Sequence, residues 1–149
     1  MLKNFKDMKG VIAIATTPFD NENLIDFDSV DRLSNYYLES EVSGVTILGV
    51  MGEAHKLNIE EQKLLIKRYI NKLSGKVPVI VGVSNAGLDN LELLSKFSMD
   101  SGASGVMVSG NNGLKNDDQI KFYFNQVIDR TKDIPICLQD YPPTTNVYF

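Results

Sequence analysis

A single cysteine, a single histidine and no tryptophan stand in this 149-residue chain. Cys137 has no second thiol, which excludes an internal disulfide, and its place in an apolar run reads as a small buried hydrophobe rather than a nucleophile. His55 has no cluster of ligand-type residues around it, so no metal-site spacing is present. A surplus of base is missing too. The 15 Lys and Arg are outnumbered by 19 Asp and Glu, leaving a formal charge of −4. The bases are scattered along helices, with no stripe to follow a phosphate backbone, so nucleic acid is not an expected partner. No apolar run approaches the about 20 residues of a membrane helix. Met1–Lys9 has lysines with no apolar stretch behind them, and the expectation is a cytoplasmic protein without membrane contact.

What is present fits one globular domain over residues 1–149, with 43% hydrophobic and 23% charged residues. Five short, nearly continuous β-branched runs recur: Val11 to Ala15, Val45 to Leu48, Val79 to Val83, Val106 to Val108 and Ile136 to Leu138. Such runs suit strands covered on both faces. Helical spacing separates them, as in Ile66, Tyr69, Ile70 and Leu73, or Ile120, Tyr123, Phe124, Val127 and Ile128. Tyr36, Tyr37, Tyr69 and Tyr123 read as core or interface residues. Asn58 with Glu61 and Asn116 with Gln119 predict reciprocal N-caps, and Gly75 and Gly102 predict C-terminal stops. Strict strand and helix alternation requires right-handed crossovers and a parallel sheet, so ligand chemistry belongs at the strands' C-terminal ends.

At one such end stands Gly49-Val50-Met51-Gly52-Glu53. A glycine turn can aim several backbone N–H groups into one concavity and hold a carboxylate without a cation, with Gly49 and Gly52 free to adopt positive φ. Glu53 is expected to bind the loop's own N–H groups, and His55 lies near the same mouth. Lys56 and Lys115, each in a polar loop, read as solvated charges. An internal echo relates Val42-Ser-Gly-Val-Thr-Ile47 to Ala103-Ser-Gly-Val-Met-Val108, and Val77-Pro-Val-Ile-Val81 to Ile134-Pro-Ile-Cys-Leu138. That period of two βα units is what a barrel assembled from double units leaves behind. After the fifth strand comes an irregular tail. Two architectures fit: a complete five-strand doubly wound binding module, receiver-like or flavodoxin-like, or half of a (β/α)8 barrel. A receiver's acidic cluster and a flavin phosphate loop are both missing after the first strand, where Thr16-Thr-Pro-Phe-Asp20 stands.

Five segments, in order, resemble the dihydrodipicolinate synthase and N-acetylneuraminate lyase family of Schiff-base aldolases. They are Lys9 to Asp20 with its Thr-Pro-Phe turn, Gly49 to Glu53 in the place of Gly-Thr-Thr-Gly-Glu, Lys76 to Val83, Asp100 to Val106, and Ile134 to Pro142. The resemblance implies a TIM barrel of which this chain covers about the first four βα units plus strand five. It also implies lyase chemistry on pyruvate or another 2-oxo acid, through a lysine Schiff base located beyond residue 149. The chain alone is then expected to be inactive. No other cofactor is implied; the partners are the small 2-oxo acid and further copies of the chain, a tetramer in full-length relatives. Gly49, Val50, Met51, Gly52 and Thr17 become the substrate-binding candidates. Gln139 takes the place of the family's catalytic tyrosine, and Asp140 and Tyr141 become candidates for proton transfer. Val50 and Met51 match the two threonines, Asn112 the tyrosine lent to a neighbouring subunit, and Thr144 the entrance arginine.

Overall fold

The computed structural model describes residues 8–148; Met1–Asp7, with most of the lysine-bearing start, and Phe149 lie outside the described residues. Strands form where the apolar runs stand: β1 Ile12–Ile14, β2 Gly44–Ile47, β3 Val79–Gly82, β4 Gly105–Ser109 and β5 Ile136–Gln139. Between them lie α1 Phe27–Glu39, α2 Ile59–Leu73, α3 Leu88–Ser101 and α4 Asp117–Thr131. A one-turn α5, Pro142–Thr145, stands within the tail expected to be irregular after β5. Among the described residues no helix is long and apolar enough to cross a membrane.

The caps explain where the helices begin. Asn58 accepts from the Glu61 N–H at 3.0 Å and Glu61 returns the bond to the Asn58 N–H at 2.8 Å, so two otherwise orphaned donors are satisfied. At α4 the exchange is displaced by one residue. Asn116 accepts from the Gln119 N–H, but the Gln119 side chain accepts from Lys115 rather than from Asn116. Gly102 ends α3 at φ +105°, as expected, whereas α2 ends at Leu73 with Ser74 as its cap, and Gly75 follows at φ +77°.

All strand pairs are parallel and the order is β1-β2-β3-β4-β5. A doubly wound sheet places its first strand in the interior and reverses direction there; here β1 is an edge and nothing reverses, which overturns the binding-module architecture. Right-handed crossovers between consecutive neighbours put the crossover helices α1 to α4 on one side. Val45, Ile47, Val79, Val81, Val106 and Val108 pack with Leu65, Ile66, Leu91 and Leu94 of the helices in the core. The alternate residues Ile14, Thr46, Ile80, Met107 and Gln139 belong to the other face of the pleat, the inside of a half barrel. The internal echo is structural: the Val45 N–H donates to Pro78 and the Val106 N–H to Pro135, at 3.0 and 2.9 Å.

Coverage on both faces holds for β2 and β3 and fails at the edges. Ile14 is 41% and Leu138 50% exposed, because β1 and β5 each have one neighbour only. For the same reason Cys137 is half-buried rather than buried. Tyr37, Tyr69 and Tyr123 are buried, but Tyr36 and Ile128 point outward, at 61% and 54% exposure.

Candidate active site at the open end of the half barrel

The glycine turn is shaped by what lies under it. A Cβ on Gly82 would sit 2.2 Å from the Leu48 carbonyl oxygen, so the chain leaving β2 crosses β3 in contact with its backbone. Glycine at 82 is what allows the approach. Leu48, at the crossing, stands at φ 55°, and Glu53, at the end of the turn, at φ 53°. Positive φ therefore falls on Leu48 and Glu53, not on Gly49 and Gly52 as the sequence suggests. Those two glycines serve close approach instead. A Cβ at 49 would meet Met107 Cε at 3.2 Å, and one at 52 would meet the Leu48 N and Cα at 3.0 and 3.1 Å. A non-glycine residue in the left-handed region costs about 1–2 kcal/mol, and such strain gathers where the surrounding structure over-determines it.

Within the turn the Gly52 and Glu53 N–H groups donate to Gly49 and Val50, both at 3.1 Å. Among the described residues the Val50 and Met51 N–H groups donate to no protein acceptor. Two neighbouring donors left in this way are the chemical requirement of an anion nest. The turn is tied from behind. The Thr17 hydroxyl, 7% exposed, donates to the Gly52 carbonyl at 2.6 Å, and Tyr69 donates to the adjacent Thr16 carbonyl at 3.1 Å. Burial pushes the Tyr69 phenol well above its usual range, which keeps it a donor. Glu53 does not bind the loop's N–H groups. Its carboxylate pairs with Lys56, which holds it below the usual carboxylate range.

His55 stands in a one-turn 3-10 helix, Ala54–Lys56. Buried Gln62 holds this turn, donating to the Ala54 and Leu57 carbonyls at 3.0 Å each. Two contiguous cavities open at the strand ends. The smaller, about 130 Å³, brings Gly49, Val50, His55, Ser84, Ser109 and Gln139 together. The larger, about 470 Å³, shares Val50, His55, Ser84 and Ser109 and adds Asn112 and Thr144. Gly49, Val50 and Gln139 thus line one cavity. Thr17, Met51, Gly52, Asp140 and Tyr141 line neither cavity; Thr17 and Gly52 are bonded to each other, and Met51 is 57% exposed. The Tyr141 carbonyl instead accepts the Thr144 and Thr145 hydroxyls of α5.

Ser84 and Ser109 were not singled out by the sequence reading. Ser109 donates to the Ser84 hydroxyl twice, from its N–H at 2.9 Å and from Oγ at 3.0 Å, joining the ends of β3 and β4. The available signal is positional: each is the first polar side chain after an apolar strand. No lysine among the described residues lines either cavity, and no group of three or more His, Cys, Asp or Glu could hold a metal ion among them.

A singly wound parallel half barrel with ligand-type features at its mouth defines a TIM-barrel fragment. The sequence profile of the dihydrodipicolinate synthetase family matches residues 7–149, and the chain belongs to that family. It is 31% identical over 140 residues to the 4-hydroxy-tetrahydrodipicolinate synthase of Methanocaldococcus jannaschii, covering 93% of this chain and 48% of that one. The crystal structure of dihydrodipicolinate synthase from Rhodopseudomonas palustris superposes with a TM-score of 0.92 at 41% identity, over 98% of this chain and 48% of that one. A family prophage protein from E. coli K12, solved with pyruvate, superposes with a TM-score of 0.84 at 27% identity, over 92% of this chain and 46% of its own. The chain spans about half the length of the curated relatives it matches.

Proposed function

We propose that residues 1–149 form the carboxylate-binding part of a lyase site that acts on pyruvate or another 2-oxo acid through a lysine Schiff base. The observation that carries the reading is the pair of undonated N–H groups at Val50 and Met51, beside a cavity that also takes in Gln139. The pyruvate complex of the E. coli relative supports the same ligand class. A Schiff-base amine has to be neutral often enough to attack, which needs a shielded pocket. No lysine among the described residues lines the cavities, and on the family resemblance the reading puts the nucleophile beyond residue 149, which makes residues 1–149 inactive alone. Gln139 has no ionisable proton; its amide donates to the substrate oxygen as charge develops there. Asp140 and Tyr141, away from the cavities, are given no step. Association with further copies in the cytoplasm completes the reading, on family resemblance.

The test is a pyruvate titration of the 149-residue chain followed at its backbone amides. Saturable shifts concentrated at Val50 and Met51 are expected. Shifts absent from this turn while others move would contradict the carboxylate assignment.

A further inference from the structure

The larger cavity lies beside the turn, where the second carbon fragment of a lyase substrate has to be received. Its lining is hydroxyl and amide, with Ser84, Asn85, Ser109, Asn111, Asn112 and Thr144 around it. Its other lining side chains are apolar, aromatic, a further threonine or the His55 imidazole, so no Asp, Glu, Lys or Arg among the described residues reaches it.

The donors and acceptors can be followed atom by atom. Ser84 Oγ accepts twice from Ser109, at 2.9 and 3.0 Å, so its own proton is left to donate. Ser109 Oγ has spent its proton on that bond and keeps lone pairs to accept. Asn85 Oδ1 accepts from the Gly87 N–H at 3.0 Å and from Asn90 Nδ2 at 3.4 Å, and the Asn85 NH₂ keeps two donors. Asn111 takes the Leu114 N–H on its backbone carbonyl, leaving the side-chain amide with both functions. The lining therefore offers both donors and acceptors, and among the described residues no Asp, Glu, Lys or Arg stands with them. Vicinal hydroxyl groups, each giving and taking one hydrogen bond, match a lining that holds both functions. An ammonium or carboxylate would meet no opposite side-chain charge from Asp, Glu, Lys or Arg among the described residues of this lining.

We propose that the second fragment bound at this mouth is a neutral polyhydroxylated chain, in preference to an amino- and carboxy-bearing aldehyde. The inference rests on the reading of the mouth as a 2-oxo acid lyase site and names its partner substrate class.

The 149-residue chain is titrated with xylitol and, separately, with L-homoserine, a zwitterionic stand-in for the charged aldehyde, and followed at backbone amides. Xylitol is expected to shift Ser84, Asn85, Ser109 and Asn111 saturably and at lower concentration than L-homoserine. Asn111→Ala and Ser84→Ala are each expected to weaken xylitol at least threefold. If Ser84→Ala disturbs the fold, Asn111→Ala still decides, because the bond to Leu114 uses the backbone. L-homoserine acting at the lower concentration, or xylitol leaving these amides unmoved, overturns the inference. Pyruvate shifts at Val50 and Met51 report separately. With pyruvate bound and xylitol inert, only the polyol inference falls; with xylitol bound and pyruvate inert, the lyase reading falls and a polyol site stands alone.

Discussion

Thr17 shows how one hydroxyl can shape a site it does not touch. It sits behind the glycine turn and supplies the 2.6 Å bond to the Gly52 carbonyl, across 35 residues of chain. Thr17→Val keeps the shape and removes the donor, leaving a buried carbonyl unpaired at a cost of about 1–3 kcal/mol. The urea midpoint is expected to fall accordingly, with the Val50 and Met51 amide resonances displaced, and Thr17→Ser is expected to restore both. An unchanged midpoint in Thr17→Val would mean that the bond does not hold the turn. Neither this bond nor the left-handed Leu48 could be read from the sequence. Both arise from contacts between segments far apart in the chain, and the crossing over Gly82 decides which residue is strained.

At the scale of elements, strands and helices were legible within a residue or two because their signals are local. β-branched runs make strands, apolar residues at helical spacing make helices, and Asn58 with Glu61 marks a start. Which strands are covered was not legible. Leu138 and Val108 have the same kind of side chain and share a face by register, yet only Leu138 is exposed, because β5 is an edge. Ser84 and Ser109 were missed because a hydroxyl at a strand end reads as a turn residue until two strand ends are seen to meet.

Helix docking carries its own prediction. Asp31 of α1 receives Arg68 at 2.6 and 2.8 Å and Lys72 at 2.8 Å from α2. The Lys72 hydrogen bond, reinforced by Arg68, lowers the Asp31 pKa below its ordinary 3.8. A lowered folded-state value means that the folded protein holds its proton less tightly than the unfolded chain. The clamp's contribution is therefore fully present above the ordinary aspartate range and is lost as pH falls through the lowered value. Asp31→Asn is expected to flatten the acid limb of the stability curve in low salt. An acid limb identical to the parent's would show that the clamp contributes nothing measurable, as many exposed ion pairs do.

For the whole molecule, five parallel strands in sequential order form an arc with two open edges, while an eight-strand barrel closes on itself. Apolar side chains exposed on those edge strands, Ile14 at 41% and Leu138 at 50%, lie where a closed barrel would continue. The fold, the family and the half-length match to relatives agree in placing half of an aldolase-type barrel in this chain. The turn proposed to hold the carboxylate and the amide-and-hydroxyl cavity are in this half. The amine that would bond covalently to the 2-oxo acid is assigned elsewhere.

That division is tested most directly by intact mass of the gene's natural polypeptide and of residues 1–149 alone, each treated with pyruvate and borohydride. Imine formation releases water, and borohydride reduction leaves a stable secondary amine on the lysine. The account predicts one reduced-pyruvate adduct on the natural polypeptide, at a lysine outside residues 1–149, and none on residues 1–149 alone. An adduct on a lysine within residues 1–149, or no adduct on either polypeptide, would contradict it.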